Sequence, residues 1–338
     1  MASPTAEETI MKTWKNILLL FGSLIFLLLL AEGVLRFFPL LRPLPRTYVG
    51  EYENRTKHTW MVADPSIGWK FGPSSRSDLY QVNAQGFRGN SDFSPSQPCK
   101  IIALAGDSVT FGVGLRYEQI YASLTEAGLP GICVDDMAMA GFGLDQIWQT
   151  VLTQALPLHP RLVIVAFTSS AFTFSEEAYR PIEGFNKPTF KLVDGQLLPK
   201  TPQDRPNSLV RFLQRHSSLW RVGRLADRAV AHKYPHGEWW YLNAAILDAI
   251  QADCRNAGVP LLFIYIPSRE WKGFPALNTY MARSQANFID LSQGDFALIQ
   301  SMYVPRDGHL NEKGHRQVAD AILHWLQQNL PAVTDPPK

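Results

Sequence analysis

From Lys100 onward, short apolar runs alternate with stretches of helical period, and this alternation restricts the fold more than any other feature of the chain. Runs at 100–105, 132–138, 162–167, 260–266 and 287–291 are short and mainly apolar, and read as strand candidates. Between and after them lie 118–127, 145–156, 241–256 and 312–330; in the third of these Leu242, Ile246 and Ile250 recur at helical spacing. The pattern predicts an α/β fold with a five-stranded parallel sheet covered by helices on both faces. Ligands bind such sheets beyond the carboxyl ends of their strands. Length agrees: 338 residues, 46% hydrophobic and 18% charged, can build one large core with attachments and are not disordered. A net charge of +2 implies no nucleic acid or other polyanion as a global partner.

The first strand runs into Gly106-Asp107-Ser108-Val109-Thr110-Phe111-Gly112, where a glycine and a small acid force a turn with Ser108 at its tip. Near the far end of the chain comes Asp307-Gly308-His309-Leu310-Asn311, just before the last helix. A serine on a strand-end turn with a distant Asp/His pair is what nucleophilic acyl transfer requires: an imidazole to take the hydroxyl proton and a carboxylate to orient the imidazole. A third feature is Asp136-Met137-Ala138-Met139-Ala140-Gly141-Phe142-Gly143, a strand entering a glycine turn. Gly141 allows a backbone N–H to approach a ligand closely. Each residue also has a plain structural reading. Ser108 then caps a helix, His309 is a surface histidine ahead of a capping Asn311, and Gly141 only makes a turn. The Gly-x-Ser-x-Gly elbow of another hydrolase fold is absent, because the second glycine falls at 112.

These three blocks resemble those of the SGNH, or GDSL-type, serine hydrolases, over roughly residues 100 to 330, and the leader and lead-in resemble those of membrane-attached bacterial members. The resemblance implies a flavodoxin-like, three-layer α/β/α fold and an ester hydrolase without a cofactor. It implies Ser108 as nucleophile, His309 as general base and Asp307 as its orienter. The N–H groups of Ser108 and Gly141 then form the oxyanion hole. Two departures stand out. The family usually spaces its last pair Asp-x-x-His, whereas here one residue separates Asp307 from His309, which leaves Asp290 and Asp295 as less favoured orienters. The family's Gly-x-Asn-Asp block falls on Thr168-Ser169-Ser170-Ala171, so Ser170 stands where a side-chain oxyanion donor is expected, or Ser169 under a one-residue shift.

At the amino end, Lys12 and Lys15 precede an apolar run from Ile17 to Ala31 with no charge until Glu32. Its Leu-rich surface has no polar side, which argues for a membrane helix over a buried core helix. Residues 1–15 are expected in the cytoplasm and 16–38 as a signal-anchor, with Glu32 and Arg36 paired at the interface. A cleaved signal peptide is the alternative, since Ala31-Glu32-Gly33 offers small residues. Export places the main domain outside the cytoplasm, in the periplasm of a bacterium, and permits a disulfide, for which Cys99 and Cys133 sit suitably at one sheet edge. Cys254 falls in a helical pattern as a buried thiol, and no Cys/His spacing resembles a zinc site.

Residues 39–98 read as an ordered lead-in with Phe87 as anchor, and 99–330 as the hydrolase domain, followed by a tail at 331–338. An insertion at about 174–240 contains a two-residue hairpin turn at Asp194-Gly195. It also contains a helical stretch at 208–230 with Arg211, Arg215, Arg221, Arg224 and Arg228. That stretch is either a helix pair with solvated arginines or a basic amphipathic surface for a membrane or an anionic polymer. Trp239-Trp240-Tyr241 reads as packing in preference to a sugar platform. The expected substrate is a carboxylic ester, with small acyl groups such as acetyl on an envelope or exported polysaccharide as the leading class. Acyl transfer to a sugar, action on a lipid ester, and a non-catalytic polysaccharide- or partner-binding role are the alternatives.

Overall fold

The computed structural model describes residues 6–38, 61–77, 79–89, 91–96, 99–175, 179–180, 185–201, 207–233, 237–267, 274–305 and 307–330. The chain begins with a long helix, α1 (Ala6–Leu35), and continues with a hairpin of β1 (Met61–Asp64) and β2 (Gly68–Phe71). Next come β3 (Lys100–Gly106), the one-turn helix α2 (Ser108–Phe111), α3 (Tyr121–Ala127), β4 (Ile132–Asp136), α4 (Leu144–Thr150), β5 (Leu162–Phe167) and α5 (Ser169–Phe174). The insertion adds β6 (Tyr179–Arg180), β7 (Phe185–Asn186), the hairpin β8 (Phe190–Val193) and β9 (Gln196–Pro199), then α6 (Ser208–His216) and α7 (Ser218–Lys233). The remainder is α8 (Glu238–Asn256), β10 (Leu261–Tyr265), α9 (Pro275–Ser284), β11 (Phe288–Asp290), α10 (Phe296–Ser301) and α11 (Glu312–Asn329).

The expected five-stranded sheet forms, in the order β11-β10-β5-β3-β4, with every neighbouring pair parallel. β5 and β10 are apolar throughout and β3 nearly so because both faces are covered, whereas β4 ends on Asp135 and Asp136 and β11 on Asp290. Ala103, Ala105, Val163, Val165 and Phe263 face one cluster, joined by Ile147 of α4, Ile246 of α8 and Leu277 of α9. Ile102, Leu104, Ile164 and Ile264 face the other, with Tyr121 of α3 and Val318, Ile322 and Leu326 of α11. The result is three layers, α/β/α.

Several boundaries differ from expectation. Glu118 lies in a 3-10 turn (Tyr117–Gln119), so α3 starts only at Tyr121. The 145–156 stretch is α-helical to Thr150, widens into a π turn at Val151–Ala155 and gives way to a 3-10 turn containing Pro157, which has no N–H for an α-helical bond. The 208–230 stretch divides at Ser217, whose backbone is extended (φ −105°, ψ 123°). The hairpin at Asp194-Gly195 is present, with both turn residues at positive φ, as a type I′ turn needs.

The chain divides into two compact units, one of residues 1–48 and 206–230, the other of 49–205 and 231–338. The first holds α1 and the insertion helices. The second holds the sheet and the described part of the lead-in, from Met61 on: Trp69, Phe71, Tyr80, Val82 and the expected anchor Phe87 are all buried in its core. Register pairing of Lys100 with Ile132 brings the starts of β3 and β4 side by side, and Cys99 and Cys133 are bonded there with their Cα atoms 5.7 Å apart. Cys254 is buried and free, and burial pushes its thiol up to about 12, so it is inert.

Candidate active site

β3 ends on Gly106, where a Cβ would lie 2.1 Å from Thr110 Oγ1 and 2.7 Å from the Ala166 carbonyl oxygen; only glycine fits. Asp107 then breaks the strand as the N-cap of α2. Its Oδ1 accepts from the Val109 N–H at 2.9 Å, and its Oδ2 accepts from the Thr168 N–H at 3.0 Å and the Thr168 hydroxyl at 2.7 Å. One buried carboxylate thereby ties the turn after β3 to the end of β5. Burial raises the Asp107 pKa, against the pull of its Thr168 and Val109 hydrogen bonds. Ser108 is the first residue of α2, at the carboxyl edge of the sheet.

The loop between α10 and α11 brings the distant pair to it. Ser108 Oγ–H donates to His309 Nε2 at 3.0 Å, and His309 Nδ1–H donates to Asp307 Oδ1 at 2.6 Å. A carboxylate against Nδ1 requires the proton there, which leaves Nε2 as the acceptor for the hydroxyl. The hydrogen bond from His309 holds the Asp307 carboxyl below the usual carboxylate range. Asp307 Oδ1 also accepts from the His309 backbone N–H at 3.1 Å, a tight local turn that makes the one-residue spacing sufficient. The loop is fixed by Val304 N–H donating to the His309 carbonyl at 3.0 Å and Asn311 N–H donating to the Met302 carbonyl at 2.8 Å. Asn311 does cap α11, accepting from the Gly314 N–H at 3.0 Å. Asp290 and Asp295 are engaged elsewhere, Asp290 with Ser292 and Asn278 and Asp295 as the cap of α10.

Gly141 follows β4 at φ +82°, a left-handed conformation that favours glycine. Among the described residues, neither its N–H nor that of Ser108 has a partner. The peptide before it is held by Trp69, whose indole N–H donates to the Ala140 carbonyl at 3.2 Å and whose ring meets Phe142 edge-on at 5.4 Å. Ser170 lies in the first turn of α5 at the end of β5, the neighbour of β3 in the sheet. It is exposed, its N–H donates to Thr168 Oγ1 at 3.3 Å, and its hydroxyl has no partner among the described residues. Ser169, the one-residue alternative, is buried. Among the described residues no group of His, Cys, Asp and Glu gathers into a metal site.

Two supports escaped sequence reasoning. Arg88 of the lead-in is fully buried. Its Nη1 donates to the carbonyls of Phe111 (2.5 Å) and Gly112 (2.7 Å), its Nη2 donates to that of Leu115, and its guanidinium sits 4.8 Å and 4.9 Å over the rings of Tyr80 and Phe111. The cation thus closes the carboxyl end of α2, where carbonyls without helical partners collect negative potential. Burial lowers the Arg88 pKa, opposed by the attraction of Asp136. The second support is Lys187 of the insertion, whose Nζ donates to both Asp145 oxygens at 2.5 Å. Neither side chain is exposed, and the pair anchors the first turn of α4 just beyond the Gly141 loop. Burial pushes Asp145 up to about 6 although Lys187 attracts it. Behind the site, His315 Nδ1 accepts from the Tyr121 N–H at 3.1 Å, and burial lowers its pKa to about 3, so it is neutral.

No protein-family model matches the sequence, and no curated protein matches it. Solved structures similar to the chain include a lipolytic protein of the G-D-S-L family from Veillonella parvula DSM 2008, 11% identical with a TM-score of 0.41, covering 69% of this chain and 99% of that one. The psychrotrophic esterase EstA from Pseudoalteromonas sp. is 11% identical with a TM-score of 0.42 and the same coverages. A two-domain esterase active on acetylated mannans is 12% identical with a TM-score of 0.39, covering 71% of this chain and 52% of that one.

Proposed function

We propose that this chain is a serine ester hydrolase of the SGNH type, held at a membrane by its amino-terminal helix with the catalytic unit outside the cytoplasm. The observation that carries the reading is the continuous hydrogen-bond line from Ser108 through His309 to Asp307, 3.0 Å and 2.6 Å long, at the carboxyl edge of a parallel sheet. Ser108 Oγ attacks the ester carbonyl while His309 Nε2 takes its proton. Asp307 stabilises the imidazolium so formed. The carbonyl oxygen, now carrying negative charge, is met by the Ser108 and Gly141 N–H groups and by the Ser170 hydroxyl. His309 returns the proton to the departing alkoxide, leaving acyl-Ser108. Water, deprotonated by His309, then releases the carboxylic acid and restores the serine.

The proposed substrates are short O-acyl groups, acetyl foremost, on envelope or exported polysaccharide. The half-buried Ser108 and exposed Ser170 sit at an edge open enough for a substituent on a large polymer. For the anchor, the support is Met11–Leu35, 25 residues long and apolar enough to cross a bilayer, with no part of its most apolar window buried. One observation favours a second, non-catalytic reading: a serine hydroxyl reaches less far than the asparagine amide it stands in for at 170.

One experiment separates the two readings. The full-length protein in lipid nanodiscs is treated with a fluorophosphonate probe and assayed on short-chain acyl esters beside Ser108→Ala. Catalysis predicts labelling of the wild type alone and loss of about a thousandfold or more of turnover in the variant. Equal inertness of both proteins towards probe and esters would refute the hydrolase and leave the binding reading.

A further inference from the structure

We propose that α6 and the start of α7 dock on an anionic phospholipid surface around the end of α1, with Leu209 and Phe212 inserted at the boundary between headgroups and acyl chains. The proposal rests on α1 being a membrane anchor, and adds a second contact with the same bilayer.

The first observation is a set of bonds within one compact unit. Glu32, in the last turn of α1, accepts from the Ser217 hydroxyl at 2.9 Å, the Ser218 N–H at 2.8 Å and the Leu219 N–H at 3.0 Å. Arg36 Nη2 donates to the His216 carbonyl at 3.0 Å, and Arg36 Nε to Glu32 Oε1 at 3.1 Å. The junction between α6 and α7 is therefore fastened to the end of the candidate span, which closes at Leu35. At 1.5 Å per residue, Glu32 lies only about 5 Å along the helix from that end. A bilayer that surrounds α1 must then meet the junction at headgroup depth, a consequence of hydrogen bonds and helix rise alone.

The second observation is the surface that α6 presents next to this junction. Leu209 and Phe212, three residues apart and hence on one helical face, are 65% and 59% exposed. Phe37 and Phe38, just past the end of α1, are 79% and 55% exposed. Aromatic and leucine side chains at this level are what interfacial segments insert. The third observation is charge. Residues 207–233 hold five arginines and a lysine against one aspartate, in a chain whose net charge is only +2. That local excess favours a negatively charged membrane surface over a neutral one. Apolar face, basic composition and attachment beside the span agree on one occupant, an anionic membrane surface.

The test uses the full-length chain in nanodiscs. Cys99 and Cys133 are bonded to each other and Cys254 is buried, so native labelling with an environment-sensitive fluorophore reports an introduced cysteine. Phe212→Cys is compared with Gln214→Cys, two residues on and therefore on another face, and with Leu24→Cys in the span. Docking predicts that the 212 label is quenched by nitroxide lipids and is about threefold or more better shielded from aqueous iodide than the 214 label in phosphatidylglycerol nanodiscs, as expected for a face inserted at the interface. That shielding falls in purely phosphatidylcholine nanodiscs. If Leu24 reports lipid while 212 behaves like 214, the docking is refuted and the anchor stands. If Leu24 is itself open to iodide, the anchor reading fails and the docking with it. Shielding at 212 without nitroxide quenching would assign the face to protein, such as a second copy, and overturn the lipid contact. Shielding indifferent to headgroup charge would overturn the anionic surface.

Discussion

Replacing Arg88 with methionine keeps most of the buried stem and removes the guanidinium that braces the helix beginning at Ser108. Its bonds to the carbonyls of Phe111, Gly112 and Leu115 are lost, along with a long one of 3.5 Å to that of Leu79. The Gly112 carbonyl retains a bond from the Leu115 N–H at 3.2 Å, so two of the three close acceptors are left without a partner. Each orphaned buried acceptor costs about 1–3 kcal/mol. Loss of the cation over Tyr80 and Phe111 adds about 1 kcal/mol. Relief comes from no longer burying a cation that has no carboxylate within ion-pair distance among the described residues, worth about 2 kcal/mol in the opposite direction. The net destabilisation is about 1–5 kcal/mol, no more than the lower end of the 5–15 kcal/mol roughly typical of a folded domain, so Arg88→Met folds with a lowered Tm. The kinetic effect is the sharper one. Ser108 starts the four-residue helix whose other end Arg88 holds, and a displacement of about 1 Å between Oγ and His309 Nε2 costs about a hundredfold in rate. The assay is the fluorophosphonate labelling rate, with kcat and KM on a short ester, at a temperature where both proteins are fully folded. The expected result is a labelling rate and kcat down about 10- to 100-fold with KM nearly unchanged, and partial recovery in Arg88→Lys, whose ammonium reaches fewer of the carbonyls. A lowered Tm with wild-type labelling and kcat would refute the positioning role. An unchanged Tm would refute the account of the orphaned carbonyls.

The remaining predictions use other parts of the same unit. Replacing both Cys99 and Cys133 with serine should remove about 4 kcal/mol, the loop-closure value for a separation of 34 residues, and lower the Tm read by calorimetry; an unchanged Tm contradicts it. His315 has a folded-state pKa of about 3 against 6.5 unfolded, so the unfolded chain binds the extra proton and its contribution to stability falls as pH drops from about 6.5 towards 3. Asp136, pushed up to about 7 by burial, acts with the opposite sign, losing stability as pH rises from 3.8 towards 7, so the His315 effect is read as a difference between proteins. Between pH 6.5 and 5 the wild type should lose about 2 kcal/mol more than His315→Gln in urea titrations, and parallel profiles would exclude it. Ser170→Asn should raise kcat on short esters by about 10-fold or more if the longer amide restores a lost oxyanion donor. No gain would mean that Ser170 or another group already supplies the contact.

The central strands were readable because burial on both faces leaves a short, mainly apolar run, unbroken in β5 and β10. Their ends were not, because ends are decided by single events such as the missing N–H of Pro157 or the extended backbone at Ser217. The hydrogen-bonded grouping of Ser108, His309 and Asp307 was readable for a similar reason: its members are chemically distinctive residues in short blocks. Arg88 was not, since its partners are backbone carbonyls, which every residue has and which leave no pattern in side-chain identities. Lys187 was hidden by a partner 42 residues away in another element.

The third block needs both kinds of reading. From the sequence, Thr168 and Ser170 count alike as departures from the Gly-x-Asn-Asp block of the family that the sequence resembles. In the folded chain they separate. The Thr168 hydroxyl and N–H both bind Asp107, a contact through the hydroxyl that glycine cannot make, so this replacement tightens the turn that carries Ser108. Ser170 gained no such partner and remains exposed. The two changes therefore act on different terms of the rate. Thr168 adds to the rigidity that fixes Ser108, whereas on the proposed mechanism Ser170 changes how well the negative charge on the oxygen is met. Asp107→Asn and Ser170→Asn should accordingly have independent effects. Loss of the Asp107 tie lowers Tm and labelling rate together, while Ser170→Asn changes the labelling rate at constant Tm. Strong non-additivity in the double variant, beyond about 1 kcal/mol, would show that the two residues act on one element and would refute the separation.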